Sequence, residues 1–376
     1  MGGTPKRNEK LYWGGNIGWL KSGELNDGYI TNVEEYITDE GLTKSSAKLF
    51  PKGTLLIAMY GATVGKLGIL EIETTTNQAI CGILNDKNKF ETLFMFYYLK
   101  KIREKMIEDS FGGAQPNLSQ TYIKDLDIPL PPLEEQKRIV VNLDNLFAKI
   151  DKAIALHQKN IDEADIFMAS VLNDVFVELE EKYGLIKIND VVVKTKNKNP
   201  LNEKDTPFTY IDISSIDNKS FKIVEPKQLI GSEAPSRAKK EVFQGDIVYS
   251  TTRPNLKNIA IVSENYNNPI ASTGFCVLRT NEKTINSYLF YFLITEKLFE
   301  QIEPNIRGAQ YPATSDNDLK NCNIPNTPYE TQQKVVSYLD EISNKMEKIK
   351  QIQKEKMQSL KALKASILDK AFKGEL

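Results

Sequence analysis

The chain repeats itself. Residues 128–176 align without a gap onto residues 324–372, at an offset of 196. Matched pairs include Pro129/Pro325, Pro132/Pro328, Glu134/Glu330, Gln136/Gln332, Leu143/Leu339, Asp144/Asp340 and Phe176/Phe372. Upstream, weaker matches continue at slightly smaller offsets, as small loop insertions would produce. Gly113-Ala114-Gln115 recurs as Gly308-Ala309-Gln310, Cys81 as Cys276, Gly53 as Gly245 and Trp19-Leu20 as Tyr210-Ile211. Solenoid repeats run to about 20–45 residues, far shorter than this period. The chain is therefore a duplicated unit, each copy a globular domain followed by a long helix. The expected segments are 1–133, 134–182, 183–329 and 330–376.

The helices carry clear start signals. Thr327-Pro328-Tyr329-Glu330 offers a capping Thr, Pro at the first helical position and Glu three residues after the cap. The first copy arrives through Pro129, Pro131 and Pro132, followed by Glu134-Glu135. Apolar residues then recur in steps of mostly three or four, the spacing of a coiled-coil seam. The expected interface is Ile139, Leu143, Leu146, Ile150, His157, Ile161 and Met168 from the first helix. From the second come Val335, Leu339, Ile342, Met346, Gln353, Met357 and Leu360. Residues 134–176 hold five basic and eight acidic side chains, and 330–372 hold nine basic and six acidic. Opposite net charges favour pairing of the two helices over self-pairing, which predicts an antiparallel coiled coil. His157 and Gln353 are equivalent polar positions near mid-seam, and either fix register or mark a local stutter.

The globular halves mix short strands with helix, an α+β pattern. Strands are expected at 54–59, 69–73 and 79–84, and again at 246–250, 259–263 and 275–278. One helix is expected in each half, at 92–107 and 287–302, with the apolar cluster 94–99 read as core. The second half opens on a strand-like stretch, 184–193, with no counterpart before Gly2-Gly3. That leaves a truncated start, or a first domain that borrows or lacks an edge strand.

Residues 60–67, Tyr-Gly-Ala-Thr-Val-Gly-Lys-Leu, brush against a phosphate-binding loop. The glycines are one residue too close and Leu67 stands where a metal-binding hydroxyl belongs. The repeat counterpart, 251–257, has no glycine. As inter-strand loops these segments are more telling. Lys66, Arg253 and Lys257 sit among Thr and Asn, a mixture that contacts phosphates and reads base edges. The loops holding Gln115, Asn117, Arg307 and Gln310 are similar in kind. The basic runs 194–198 and 237–240 read mainly as solvated faces.

Composition narrows the chemistry. A single histidine argues against a His base, a His-paired nucleophile or a multi-His metal site. Three scattered cysteines suggest neither a disulfide framework nor a zinc site. No apolar run has the length of a membrane span. Net charge is −1, so any nucleic-acid role rests on local patches or partners.

The run 128–139, Ile-Pro-Leu-Pro-Pro-Leu-Glu-Glu-Gln-Lys-Arg-Ile, and the closing Ala371-Phe372-Lys373-Gly374-Glu375-Leu376 resemble specificity subunits of type I restriction–modification systems. Residues 19–25, 61–66 and Gly113-Ala114-Gln115 are similar to recurrent elements of that family's target-recognition domains. The resemblance spans essentially the whole chain. It implies that each domain reads one half of a bipartite double-stranded DNA target. The helices would measure the unread gap and dock methyltransferase subunits, which recruit motor-nuclease subunits. Catalysis would belong to those partners in the cytoplasm, with no catalytic residue, metal or cofactor expected here.

On this reading the DNA-binding candidates of the first half are Lys21, Ser22, Tyr60, Thr63, Lys66, Gln115 and Asn117. Those of the second are Arg253, Asn255, Lys257, Arg307, Gln310 and Tyr311. The alternative is a non-catalytic coiled-coil adaptor that binds only protein. Near-neutral halves favour it, with 15 basic against 16 acidic residues in 1–133 and 19 against 19 in 177–329.

Overall fold

The computed structural model describes residues 1–85, 89–110, 117–310 and 312–376. The chain forms two compact units. Unit 1 is Met1–His157 with Glu355–Leu376, and unit 2 is Gln158–Lys354. The central helix Leu133–Tyr183 and the C-terminal helix Tyr329–Ala371 each give one end to each unit.

Unit 1 holds two four-stranded sheets. In the first, Trp13–Leu20 pairs antiparallel with Glu35–Ile37 and parallel with Thr74–Thr76, which pairs in turn with Leu49–Phe50. The second runs in the order Gly28–Ile30, Leu67–Leu70, Leu55–Ala58, Ile80–Ile83. Unit 2 repeats the plan. The parallel pairing Trp19↔Thr75 returns as Tyr210↔Ile270, and Ile57↔Cys81 returns as Tyr249↔Cys276. These registers match the two units residue by residue.

The inner strands show why an unbroken apolar run was needed. Successive strand side chains point to opposite faces. Leu55 and Ile57 enter the helix-covered core, while Leu56 and Ala58 enter the core between the sheets. In unit 2, Ile247 and Tyr249 take the first role and Val248 the second.

Both expected domain helices are broken in two. The first divides into Thr92–Lys101 and Arg103–Glu108, with Ile102 (φ −88°, ψ 7°) leaving helical geometry. The second divides into Asn286–Leu293 and Glu296–Ile302, because Thr295 is extended and caps the second piece by accepting the Leu298 N–H at 3.2 Å. The stretch 184–193 is also not one strand. Leu185–Lys187 pairs with Asn323–Pro325, a short helix Ile188–Val191 follows, and Val192–Val193 pairs with Phe275–Thr280. No strand pairs with the corresponding edge of Ile80–Ile83 among the described residues of unit 1.

The duplicated Pro-then-Gln motif has a direct physical role. Gln136 is buried; it accepts the Glu91 N–H at 2.8 Å and donates to the Pro131 carbonyl at 2.8 Å. Gln332 accepts the Ile285 N–H at 2.9 Å and donates to the carbonyls of Thr327 (2.8 Å) and Lys283 (3.1 Å). Each side chain thus ties a long helix to the start of its domain helix, satisfying buried backbone groups. Thr327 does not spend its hydroxyl on the Glu330 turn as a cap would; it meets the Tyr288 hydroxyl at 2.7 Å.

In each unit the start of one long helix packs against the end of the other, antiparallel. Ile139, Leu143 and Ile150 join Leu368 and Ala371 in unit 1, and Leu172 and Phe176 join Leu339 in unit 2. Cross-helix ion pairs follow the predicted charge bias, Asp151–Lys364 at 2.7 Å and Asp165–Lys350 at 2.9 Å. Every expected seam residue is buried or half-buried, including Leu146, His157, Ile161, Met168, Val335, Ile342, Met346, Gln353, Met357 and Leu360. Gln353 accepts from Asn160 at 3.4 Å within unit 2.

Candidate nucleic-acid interface

In unit 1 the strand Leu55–Ala58 returns as Leu67–Leu70 through one 3-10 turn, Gly61–Thr63. The connection closes when Gly65 N–H donates to the Ala58 carbonyl at 2.8 Å and Ala58 N–H to that of Lys66 at 2.9 Å. Gly61 and Gly65 have φ of +80° and +77°, the left-handed region. No helix follows this loop, so it lacks the helix N-terminus on which a phosphate loop depends.

Unit 2 builds the same hairpin between Ile247–Ser250 and Ile259–Ile261, around the turn Pro254–Leu256. The strand registers place Arg253 opposite Gly61 and Lys257 opposite Gly65 in the repeat. Both keep the left-handed backbone, each at φ +50°. A side chain there costs about 1–2 kcal/mol. Such outliers persist where surrounding structure holds them and a site uses them.

A second segment lies beside each hairpin in the same way. Tyr60 and Asn117 form an antiparallel bridge, and Leu118 N–H reaches the Met59 carbonyl at 2.6 Å. In unit 2, Thr252 bridges Ala313 and Thr314 N–H reaches the Thr251 carbonyl at 2.9 Å. Arg253 N–H donates to the Pro312 carbonyl at 2.7 Å, and Arg307 and Ala313 exchange two backbone bonds of 2.9 Å. Loops about 60 residues apart in sequence therefore meet at one place in each unit.

The structure sorts the sequence candidates. Lys66, Asn117, Arg253, Asn255, Arg307 and Gln310 are exposed at these loops, with Tyr60 and Thr63 half-buried beside them. Burial raises the Tyr60 phenol above its ordinary range, so it stays a neutral donor. Lys257 is committed, donating to the Ile294 carbonyl at 3.0 Å and pairing with Glu296 at 2.7 Å. Lys21 lies apart at the end of Trp13–Leu20, paired with Glu34 (2.7 Å) and Glu35 (3.2 Å), and Ser22 opens the turn that follows. Gln115 and Tyr311 fall outside the described residues.

One exposed residue at this rim escaped the sequence reading. The Arg237 carbonyl accepts the Thr273 N–H at 2.8 Å, and the next residue, Gly274, accepts the Thr251 N–H at 2.9 Å. Its only signal was the basic run 237–240. The lysines of that run are engaged: Lys240 pairs with Asp316 and Lys239 donates to Asn199, each at 2.5 Å. The run 194–198 lies alongside, with Asn197 bridging Lys240.

Two matched domains, each bringing polar and cationic loops together beside a hairpin and anchored to long helices, make a duplicated protein of two equivalent surfaces. The comparisons agree. The type I restriction modification DNA specificity domain matches residues 1–163 and again 180–356. The MjaIX specificity subunit of Methanocaldococcus jannaschii is 25% identical, covering 100% of this chain and 90% of its own length. The MjaVIII specificity subunit of the same organism is 26% identical over 90% of this chain and 84% of its own. A solved chain, from work on complex assembly and conformational transition of the type I R-M system, shares the fold. Its TM-score is 0.73 at 22% identity, covering 100% of this chain and 95% of that one. The chain belongs to the type I restriction modification DNA specificity family and is a DNA sequence-specificity subunit. Among the described residues no helix is long and apolar enough to cross a membrane.

Proposed function

We propose that the chain works in the cytoplasm within a type I restriction–modification complex, each unit reading one half of a bipartite double-stranded DNA target. The observation that carries this reading is the loop pair repeated at the same place in both units, each inside its own match to the specificity domain. Asn117 with Lys66 serves one half-site, and Arg253 with Arg307 and Gln310 serves the other. Near-neutral domains then bind through local cations and with help from partners, since phosphate contacts supply affinity and base edges supply sequence.

The long helices set the gap and dock methyltransferase subunits, which supply catalysis and bring the motor-nuclease subunits. Exposed apolar side chains on the central helix support this role. Ile166 and Phe167 are adjacent, 69% and 50% exposed, and point away from the unit 2 core. Single exposed apolar residues are ordinary, but neighbouring large ones suit a protein contact.

The test is co-expression with the methyltransferase subunit and genome-wide mapping of modified adenines. A single bipartite motif with a fixed gap is expected; a stable complex that yields no motif sinks the reading. An Ile166→Asp, Phe167→Asp chain should fold yet lose at least ten-fold in co-purification with the methyltransferase. Unchanged co-purification would move the dock elsewhere.

A further inference from the structure

We propose that unit 2 grips the phosphate backbone of DNA through Arg237 and Arg307, at a surface whose counterpart in unit 1 has no arginine. The inference rests on the DNA-reading role proposed above and names where part of the affinity comes from.

The chain has seven arginines. Those of unit 1 are all tied into its scaffold. Arg7 pairs with Glu35 and lies 3.9 Å from the Trp13 ring centroid and 4.5 Å from that of Trp19. Arg103 holds Asp27 in a bidentate pair, and Arg138 meets Glu135 and the Leu376 carbonyl. In unit 2, Arg279 is tied in the same way, to Asp246 through two bonds of 2.8 Å. The other three arginines lie on the segments that meet around the hairpin.

Thr251 is the centre of that meeting. Its N–H donates to the Gly274 carbonyl at 2.9 Å, and its carbonyl accepts the Thr314 N–H at 2.9 Å. Arg237 joins on the first side, where its carbonyl accepts the N–H of Thr273 at 2.8 Å. Arg307 joins on the second, through the two 2.9 Å backbone bonds it exchanges with Ala313. Both are exposed, and among the described residues the Arg237 side chain forms no ion pair or hydrogen bond. The acidic residues nearest Arg307 in sequence are engaged: Asp316 pairs with Lys240, and Asp318 accepts from the Ser315 hydroxyl at 2.7 Å. That hydrogen bond first, and the charge of Arg307 after it, hold the Asp318 carboxyl below its ordinary range.

Unit 1 builds the same junction on Met59, which donates to the Ala79 carbonyl at 2.8 Å and accepts the Leu118 N–H at 2.6 Å. Counted back from the matched strand residues Leu49 and Glu241, Ser45-Ser46 stand where unit 2 has Arg237. Gly112 stands at the place of Arg307 in the repeat, and Lys66 is the one basic residue of 54–83. Upkeep of the fold does not explain the difference, because unit 1 makes the junction without an arginine. Arginine suits a phosphate, being always charged and carrying a fork of five donors. A phosphate accepts such a donor from many directions, so exposure and reach suffice and no single side-chain pose is required.

The experiment measures binding of target and unrelated duplex across a salt series, by the chain in complex with its methyltransferase subunit. It compares wild type, Arg237→Gln, Arg307→Gln and the double variant. Each single variant should lower the slope of log K against log salt by about 0.9, and the double variant by about 1.8. Target and unrelated duplex should weaken alike, and mapped modification sites should return the wild-type motif in both halves. Thermal unfolding should match the wild type, since both side chains are exposed and the backbone bonds remain. Lys44→Gln removes an exposed cation of unit 1 that pairs with Glu40, and should leave the slope unchanged. An unchanged slope in the double variant would overturn the grip. So would a relaxed base preference, which would make either arginine a reader, or an equal fall with Lys44→Gln, which would reduce the effect to bulk charge. A wild-type complex that does not distinguish target from unrelated duplex would instead remove the underlying reading.

Discussion

The two hairpins share a backbone and almost nothing else. In unit 1 the turn is glycine-based and is held by Asp27, which accepts the Leu67 N–H at 3.0 Å and forms a bidentate pair with Arg103. In unit 2 the left-handed positions carry Arg253 and Lys257, and the hold is Lys257 on Glu296. A second place tells the same story with the sign reversed. Lys21 pairs with Glu35 across the first sheet of unit 1; at the matching register of unit 2, Asp212 pairs with Lys227 at 2.5 Å. A charge pair that survives inversion at a fixed position is scaffold. Cross-strand attraction does not depend on which strand carries which sign, whereas a phosphate does. By this comparison Lys21 supports the sheet.

The largest difference between the units should come from their equivalent aromatic anchors. Phe176 is fully buried, with ring centroids 5.4 Å from Tyr288 and 5.2 Å from Phe292. Phe372 packs on Phe94 and Tyr98 at 5.0 and 5.2 Å but stays partly exposed. Phe176→Ala should lose about 3–5 kcal/mol in urea unfolding, and Phe372→Ala clearly less. Equal losses would show that the two anchors are energetically alike despite their burial.

The buried glutamines come next. Gln332→Leu strands one N–H and two carbonyls and should cost about 2–3 kcal/mol, more than Gln136→Leu, which strands one of each. The reverse order would mean that water satisfies the groups freed in unit 2.

Much of this architecture was legible because duplication doubles every signal. Gln136 and Gln332 stood out by recurring, although only coordinates could show which backbone groups they satisfy. The seam was readable from its three-and-four spacing, but Val140, Phe147, Leu172 and Leu368 were missed. At the ends of the long helices the buried stripe widens from a coiled-coil seam to a face covered by a domain, and spacing alone does not reveal that. The loops were found as loops. Their meeting was not visible, because a bridge such as Tyr60↔Asn117 joins positions with no local pattern in common. Nor can sequence tell which cation is tied into the scaffold: Lys257 is seen to be so only when Glu296 lies beside it.

Acid should separate the units more gently. Burial alone would raise the Asp27 carboxyl, but the Arg103 pair and the Leu67 N–H outweigh it and hold the carboxyl below its ordinary range. A carboxyl lowered by folding contributes stability above its unfolded pKa, and that contribution is lost as pH falls through the lower folded value. Asp27→Asn should therefore destabilise unit 1 at neutral pH and flatten its acid limb, followed by thermal unfolding between neutral and strongly acid pH. A parallel downward shift, with the acid limb unchanged, would show that the carboxylate's charge is not what holds the hairpin.

The smallest effect tests the comparison most directly. Lys21→Asp places a carboxylate against Glu34 and Glu35 and should lower the melting temperature slightly, as surface pairs do. Adding Glu35→Lys recreates the order found at Asp212 and Lys227 and should restore only part of the loss, because Glu35 also pairs with Arg7. If Lys21 is scaffold, the double variant also keeps the wild-type half-site preference and its affinity for target duplex. If Lys21 touches phosphate, stability returns in part but affinity does not, because the lysine at position 35 rises from a different strand. Measuring both quantities on the same double variant decides whether a charge pair inverted between the repeats marks the sheet that carries the reader or the reader itself.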